Sequence, residues 1–247
     1  MSTDYDIFEG EYDSFQWDVH LLIKGTLQAG IRYLETDTDS ELAKIEEWLK
    51  KSTDSEYREH LVDEHVDVLS TNVAQQRFLR NMALVALASR LTHALRAMAR
   101  SAEPFIPRKK QYGQKHMSEF ARLWVEYKER FGVDFEAHAS RIAFFEPLND
   151  VRNQIVHDGS EANTIKPFDE IEDLGSDTGV LDMWFSTKYP EYVHGRGIGA
   201  VVDVNQDLLE KNIKAAIELV AWLSGELRER ELASKKNVTV PKRPPLP

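Results

Sequence analysis

Cysteine is absent from the 247 residues. That excludes a disulfide scaffold, thiolate zinc sites, iron–sulfur clusters and cysteine nucleophiles. Long apolar runs are absent as well, so no transmembrane span is expected. Met1 to Tyr12 is acidic and polar and lacks the basic and apolar regions of a secretion signal. Positive charge is scarce, with 31 Lys and Arg against 42 Asp and Glu and a formal net charge of −11. A nonspecific duplex-DNA binder clusters its cations against phosphates, so duplex DNA is not an expected partner. Any contact with nucleic acid must be local, in a cleft whose sign differs from the average surface. What is present is 42% hydrophobic and 10% aromatic residues, enough for a core, which excludes wholesale disorder. The expectation is a soluble, cytoplasmic, acidic protein.

The spacing of apolar residues predicts helices along most of the chain. Phe15, Val19, Leu22, Ile23 and Leu27 recur at helical spacing between Tyr12 and Glu35. Thr36 to Asp39 reads as a polar break before a short helix with Leu42, Ile45, Trp48 and Leu49. Ser52 to Ser55 is a second break. One long helix, or two, follows to about Arg100, with Phe78, Met82, Val85, Leu91, Leu95 and Met98 as its stripe. Pro104 and Pro107 end that run. Further helices are expected at Met117 to Phe131 and from Asp134 to about His157, the latter kinked or restarted at Pro147. Gly159 to Asp177 is acidic and loop-like. Val180 to Phe185 and Ile198 to Val204 read as two short strands paired as a hairpin. A last helix opens near Asp203 or Asn205 and carries Leu208, Ile213, Ile217, Val220 and Leu223. The expected fold class is all-α: an up-and-down helical bundle with a small β-hairpin insertion, at about 180–204, before the last helix. Residues 1–232 form one domain in this reading, and 233–247 a mobile Pro-rich tail.

The segment Asn149-Asp150-Val151-Arg152-Asn153-Gln154-Ile155-Val156-His157 breaks the pattern. Phe144, Leu148, Val151 and Ile155 make an apolar stripe that faces the core. Asn149, Asn153 and His157, each four residues on, form a polar stripe, and Arg152 lies between the two. On a regular α-helix Arg152 and His157 are roughly 140° apart and point different ways. They converge on one phosphate if the helix departs from regularity near Gly159, or across a subunit boundary. Imidazole moves protons near neutral pH. Guanidinium is a rigid, permanently charged fork for phosphate oxygens. An amide holds either the ring or the phosphate. This set, without carboxylate pairs or metal ligands, fits RNA cleavage by the substrate's own 2′-hydroxyl.

At Arg152-Asn153-Gln154-Ile155-Val156-His157 the chain resembles the HEPN domains (higher eukaryotes and prokaryotes nucleotide-binding), whose motif is an Arg, four to six residues, then a His. The Asn after the Arg, the apolar pair before the His and the Gly-containing turn after it are also typical of that family. The similarity is close over about ten residues and architectural over Tyr12 to Glu231. The resemblance implies a helical bundle and a metal-independent endoribonuclease, of a toxin–antitoxin or phage-defence kind, that acts as a homodimer with two motifs facing one cleft. It implies catalytic roles for Arg152, Asn153 and His157, no cofactor and no metal. An antitoxin or other partner protein follows from the same resemblance. A toxin subgroup carries a modified Tyr two residues after the His, where this chain has Gly159. Asn149, Lys109, Lys110 and Arg196 are added here as candidate RNA contacts, the lysines from the basic run Arg108 to Lys115. The alternative is a non-catalytic HEPN-like module that binds a nucleotide, RNA or a partner, and a third reading is a structural helix with a fortuitous motif.

The remaining histidines read as surface or structural residues, because His60 and His65 are five apart and helical zinc pairs prefer four. The glycines of His194 to Gly199 lack the strand and helix that flank a phosphate loop, and read as a hairpin turn.

Overall fold

The computed structural model describes residues 6–113, 117, 119–158, 183–195 and 201–238, with the backbone alone at 119–120, 157–158, 183–184 and 236–238. The described chain is mostly helical, with one two-stranded antiparallel hairpin before the last helix, so the all-α class with a small β element holds. No helix among the described residues is long and apolar enough to cross a membrane.

Helix α1 spans Ile7–Trp17 and is capped by Asp6, whose carboxylate accepts from the backbone N–H of Phe8 and Glu9. A π-helical stretch, Asp18–Gly25, joins it to α2, Thr26–Lys51. The break expected at Thr36–Asp39 does not occur. The Thr36 hydroxyl donates back to the Arg32 carbonyl at 2.9 Å, inside the helix. The Asn72 amide donates to the Leu34 carbonyl at 3.1 Å and to the Thr38 hydroxyl, so polar residues are held in helical geometry by a neighbour distant in sequence.

The break at Ser52–Asp54 is real, and Asp54 caps α3 by accepting from the N–H groups of Glu56 and Tyr57. Helix α3 runs uninterrupted over Ser55–Ser101. Its expected stripe is only half right. Leu91, Leu95 and Met98 are buried together with Leu84 and Leu87, whereas Phe78 and Met82 are exposed.

Helix α4 covers Glu119–Phe131. It stops at Gly132, whose φ of 67° lies in the left-handed region, while the Val133 N–H reaches back to the Tyr127 carbonyl. The helix expected from Asp134 does restart near Pro147, at α6, Phe145–Asn153, but the part before it is a turn capped by Asp134 and a short α5 at Ala139–Ile142. Pro147 sits in the first turn of α6, where no backbone N–H donor is needed. Gln154–Asp158 continues as a π-helical turn.

The strand expected at Val180–Phe185 is corrected for its described part: Met183–Lys188 is a helix, α7. Phe185 and Tyr189, four apart, are both buried with their rings edge to face at 5.3 Å, so this segment follows the helical repeat rather than alternation. Val180–Asp182 lies outside the described residues. Strand β1 is Val193–His194, and it pairs with β2, Val201–Val202, with Val193 opposite Val202. Asn81 on α3, 1% exposed, donates to the Val202 carbonyl and accepts from the Val204 N–H, which fixes the exit of β2. Arg80 adds a bond to the Val204 carbonyl at 2.8 Å. Helix α8, capped by Asn205, spans Gln206–Val238 and so extends past Glu231; residues 239–247 lie outside the described residues.

The chain divides into two compact units. The first comprises 1–19, 87–146 and 211–247. Its core joins Phe8, Leu95, Met98, Tyr127, Phe131 and Leu223, with Trp124 stacked on Phe135 at 3.7 Å. The second comprises 20–86 and 147–210, with Leu84, Leu148, Val151, Phe185 and Leu209 inside.

Candidate functional site

The polar segment singled out in the sequence lies on α6 and its π-helical continuation. Leu148, Val151 and Ile155 are buried and seat the helix, as the apolar stripe requires. This leaves Asn149, Arg152 and Asn153 half-buried at the edge of the second unit. The Arg152 guanidinium donates from Nη1 to Oδ1 of Asn153 at 2.9 Å, so the two neighbours hold each other. Asn149 sits one turn earlier on the same helix.

The backbone of His157 belongs to the π-helical turn Gln154–Asp158; its side chain is outside the described residues. In an α-helix a residue five positions on is well past one turn. In π geometry the hydrogen bond itself runs from i to i+5, so residues five apart are about one turn apart. The change from α to π immediately after Asn153 therefore lessens the roughly 140° divergence of positions 152 and 157 expected of a regular helix.

Two residues that sequence reasoning missed complete this edge. The Tyr189 hydroxyl donates to the Asp150 carboxylate at 2.7 Å, and the Lys188 ammonium lies 3.5 Å from the same oxygen. Asp150 is thus engaged by α7 and the residue after it, rather than by Arg152. Burial pushes the Tyr189 hydroxyl up to about 12; the adjacent Asp150 carboxylate acts in the same direction and Lys188 opposes it. No spacing rule links position 150 to position 189, so this contact had no sequence signal. It makes a pH prediction. A tyrosine whose folded value is raised from 10.0 to about 12 adds stability in full below pH 10 and loses it as pH climbs through that window. Urea midpoints measured across it should fall more steeply for the native chain than for Tyr189→Phe. At neutral pH the same variant should be about 1 kcal/mol less stable, for the lost hydrogen bond.

The other expected RNA contacts are elsewhere or not described. Lys109 and Lys110 belong to the first unit, in the loop after α3. Lys110 is paired with Glu129 at 2.7 Å, and the hydrogen bond and charge of that partner raise its pKa. Arg196 lies outside the described residues.

Comparison with protein-family models, with curated proteins and with solved structures finds no match for this chain. The functional reading therefore rests on the side chains and the helix that carries them.

Proposed function

We propose that the chain is an HEPN-like, metal-independent endoribonuclease that cleaves RNA through its own 2′-hydroxyl. The observation that supports this reading most is the α-to-π change between the Arg152–Asn153 pair and His157. A polar, half-buried helix edge with a guanidinium and an amide already bonded to each other is an oriented receptor for a phosphate oxygen. In the proposed reaction the 2′-oxygen bonds to the adjacent phosphorus and its proton passes to a general base, for which His157 is suited. The bond from phosphorus to the 5′-oxygen breaks, and that oxygen takes a proton from a general acid. The products end in a 2′,3′-cyclic phosphate and a 5′-hydroxyl. Arg152 stabilises the charge that builds on the nonbridging oxygens, and Asn153 orients it.

The proposed assembly is a homodimer. Between residues 30 and 80 the fully buried apolar side chains are Ile45 and Leu61. Val62, Val66, Leu69 and Val73 instead form an exposed stripe along α3. With two copies of α3 antiparallel and Val66 opposite Leu69 of the other copy, Val62 comes opposite Val73. Leu69→Lys should lower the mass seen by light scattering from dimer to monomer; a monomeric native chain would refute this interface.

The direct test of the activity is incubation of the full chain with mixed RNA in excess chelator. Cleavage with cyclic phosphate ends is expected. RNA that is bound and left intact would establish the non-catalytic module instead.

A further inference from the structure

Within the first unit, α3, α4 and the loop between them line an open cavity of about 360 Å³. The described residues on its wall include five arginines, Arg96, Arg100, Arg108, Arg122 and Arg130, against two carboxylates, Glu103 and Glu126. Local charge is thus strongly positive in a chain whose net charge is −11. The arrangement is ordered by helical spacing. Arg96 and Arg100 are one turn apart on α3, and Arg122, Glu126 and Arg130 succeed one another every four residues on α4.

Part of this cluster is structural. Glu126, 5% exposed, accepts from Arg108 at 3.2 Å and from Arg130 at 2.6 Å. Arg130 is further tied to the carbonyls of Ala99 and Ile106. Arg122 is different: its Nε is buried and has no hydrogen-bond partner among the described residues. A buried donor without a partner costs stability. That cost is offset if an anion occupies the cavity.

We propose that this cavity is a binding site for a compact anion with two or more phosphoryl groups. Among the described residues of the wall guanidinium groups outnumber carboxylates five to two, which suits a multiply charged anion. The volume also falls in the range of small-ligand sites and exceeds what one tetrahedral anion fills. Guanidinium groups converging from two helices give bidentate contacts to phosphate oxygens from different directions. This site uses neither Arg152 nor His157, and its occupancy does not depend on RNA cleavage.

Isothermal titration of the full chain with pyrophosphate, tripolyphosphate, ATP and sulfate tests it. Saturable binding of the phosphate compounds is expected, weakening as salt is raised. Equal affinity for tripolyphosphate and ATP would identify the phosphate chain alone as the recognised group, and tighter ATP binding a nucleoside polyphosphate. Arg100→Gln, at an exposed position, and Arg122→Gln should each weaken binding about tenfold or more. Arg100→Gln should leave the thermal midpoint without ligand unchanged. No saturable binding, sulfate binding as tight as pyrophosphate, or affinity unchanged in Arg100→Gln would each overturn the proposal.

Discussion

Replacing Arg130 with methionine is expected to lower stability by about 3–5 kcal/mol, because the change leaves buried partners behind. The Arg130 side chain is 2% exposed. It donates to the Ile106 carbonyl at 2.9 and 2.7 Å, to the Ala99 carbonyl at 3.0 Å and to the Glu126 carboxylate at 2.6 Å. Its guanidinium also lies over the Phe131 ring at 4.7 Å. Two of these acceptors are carbonyls of the segment that ends α3, where helical partners have run out. Methionine fills similar volume and supplies no donor. The carbonyls then stay dry and unbonded, and Glu126 keeps only Arg108. Arg130→Lys should recover part of the loss, since one ammonium cannot reach acceptors on three sides. Arg108→Met is the contrast. That side chain is 48% exposed, and losing its bond to Glu126 should cost about 1 kcal/mol or less. Urea unfolding of the three variants measures the order; Arg130→Met falling within 1 kcal/mol of the native chain would refute this account.

Helices were legible wherever one face is buried: Leu148, Val151 and Ile155 declared α6, and Leu91, Leu95 and Met98 declared the second half of α3. The signal fails where a helix is exposed nearly all round. Thr36 to Asp39 has the composition of a loop, yet it is helical and bonded to Asn72, 34 to 38 residues on. Phe185 and Tyr189 fit a strand or a helix equally until their ring contact is seen. The candidate site was legible as residue types in Arg152, Asn153 and His157. Its geometry was not, because an α-to-π change is a shift of one hydrogen-bond partner that no composition announces. The arginine cavity was hidden for another reason: its members come from positions 96 to 130 on separate elements. The i, i+4 spacing within each helix was a trace of it, and spacing alone reads as a solvated face.

His157→Ala should abolish RNA cleavage, with a loss of roughly 10²–10⁴-fold for removal of a general acid or base. Arg152→Ala should lose about 10²-fold or more, as expected when a donor to a developing oxyanion is removed. The two effects differ in their pH signature. With Arg152 gone, a titrating imidazole still governs the rate, so the profile near neutral pH keeps its shape at a lower level. With His157 gone, the residual rate should lose that imidazole limb. Arg152→Lys discriminates further: it keeps the charge and loses the fork, and so the bond to Asn153 Oδ1 that fixes the guanidinium. It should remain well below the native rate, with Asn153→Ala intermediate between them. A catalytic role for His157 predicts a loss of activity that unfolding does not explain. Urea midpoints of His157→Ala should therefore match the native chain while activity is lost. Full activity in His157→Ala would remove the imidazole from the mechanism, and an unfolded His157→Ala would make the residue structural.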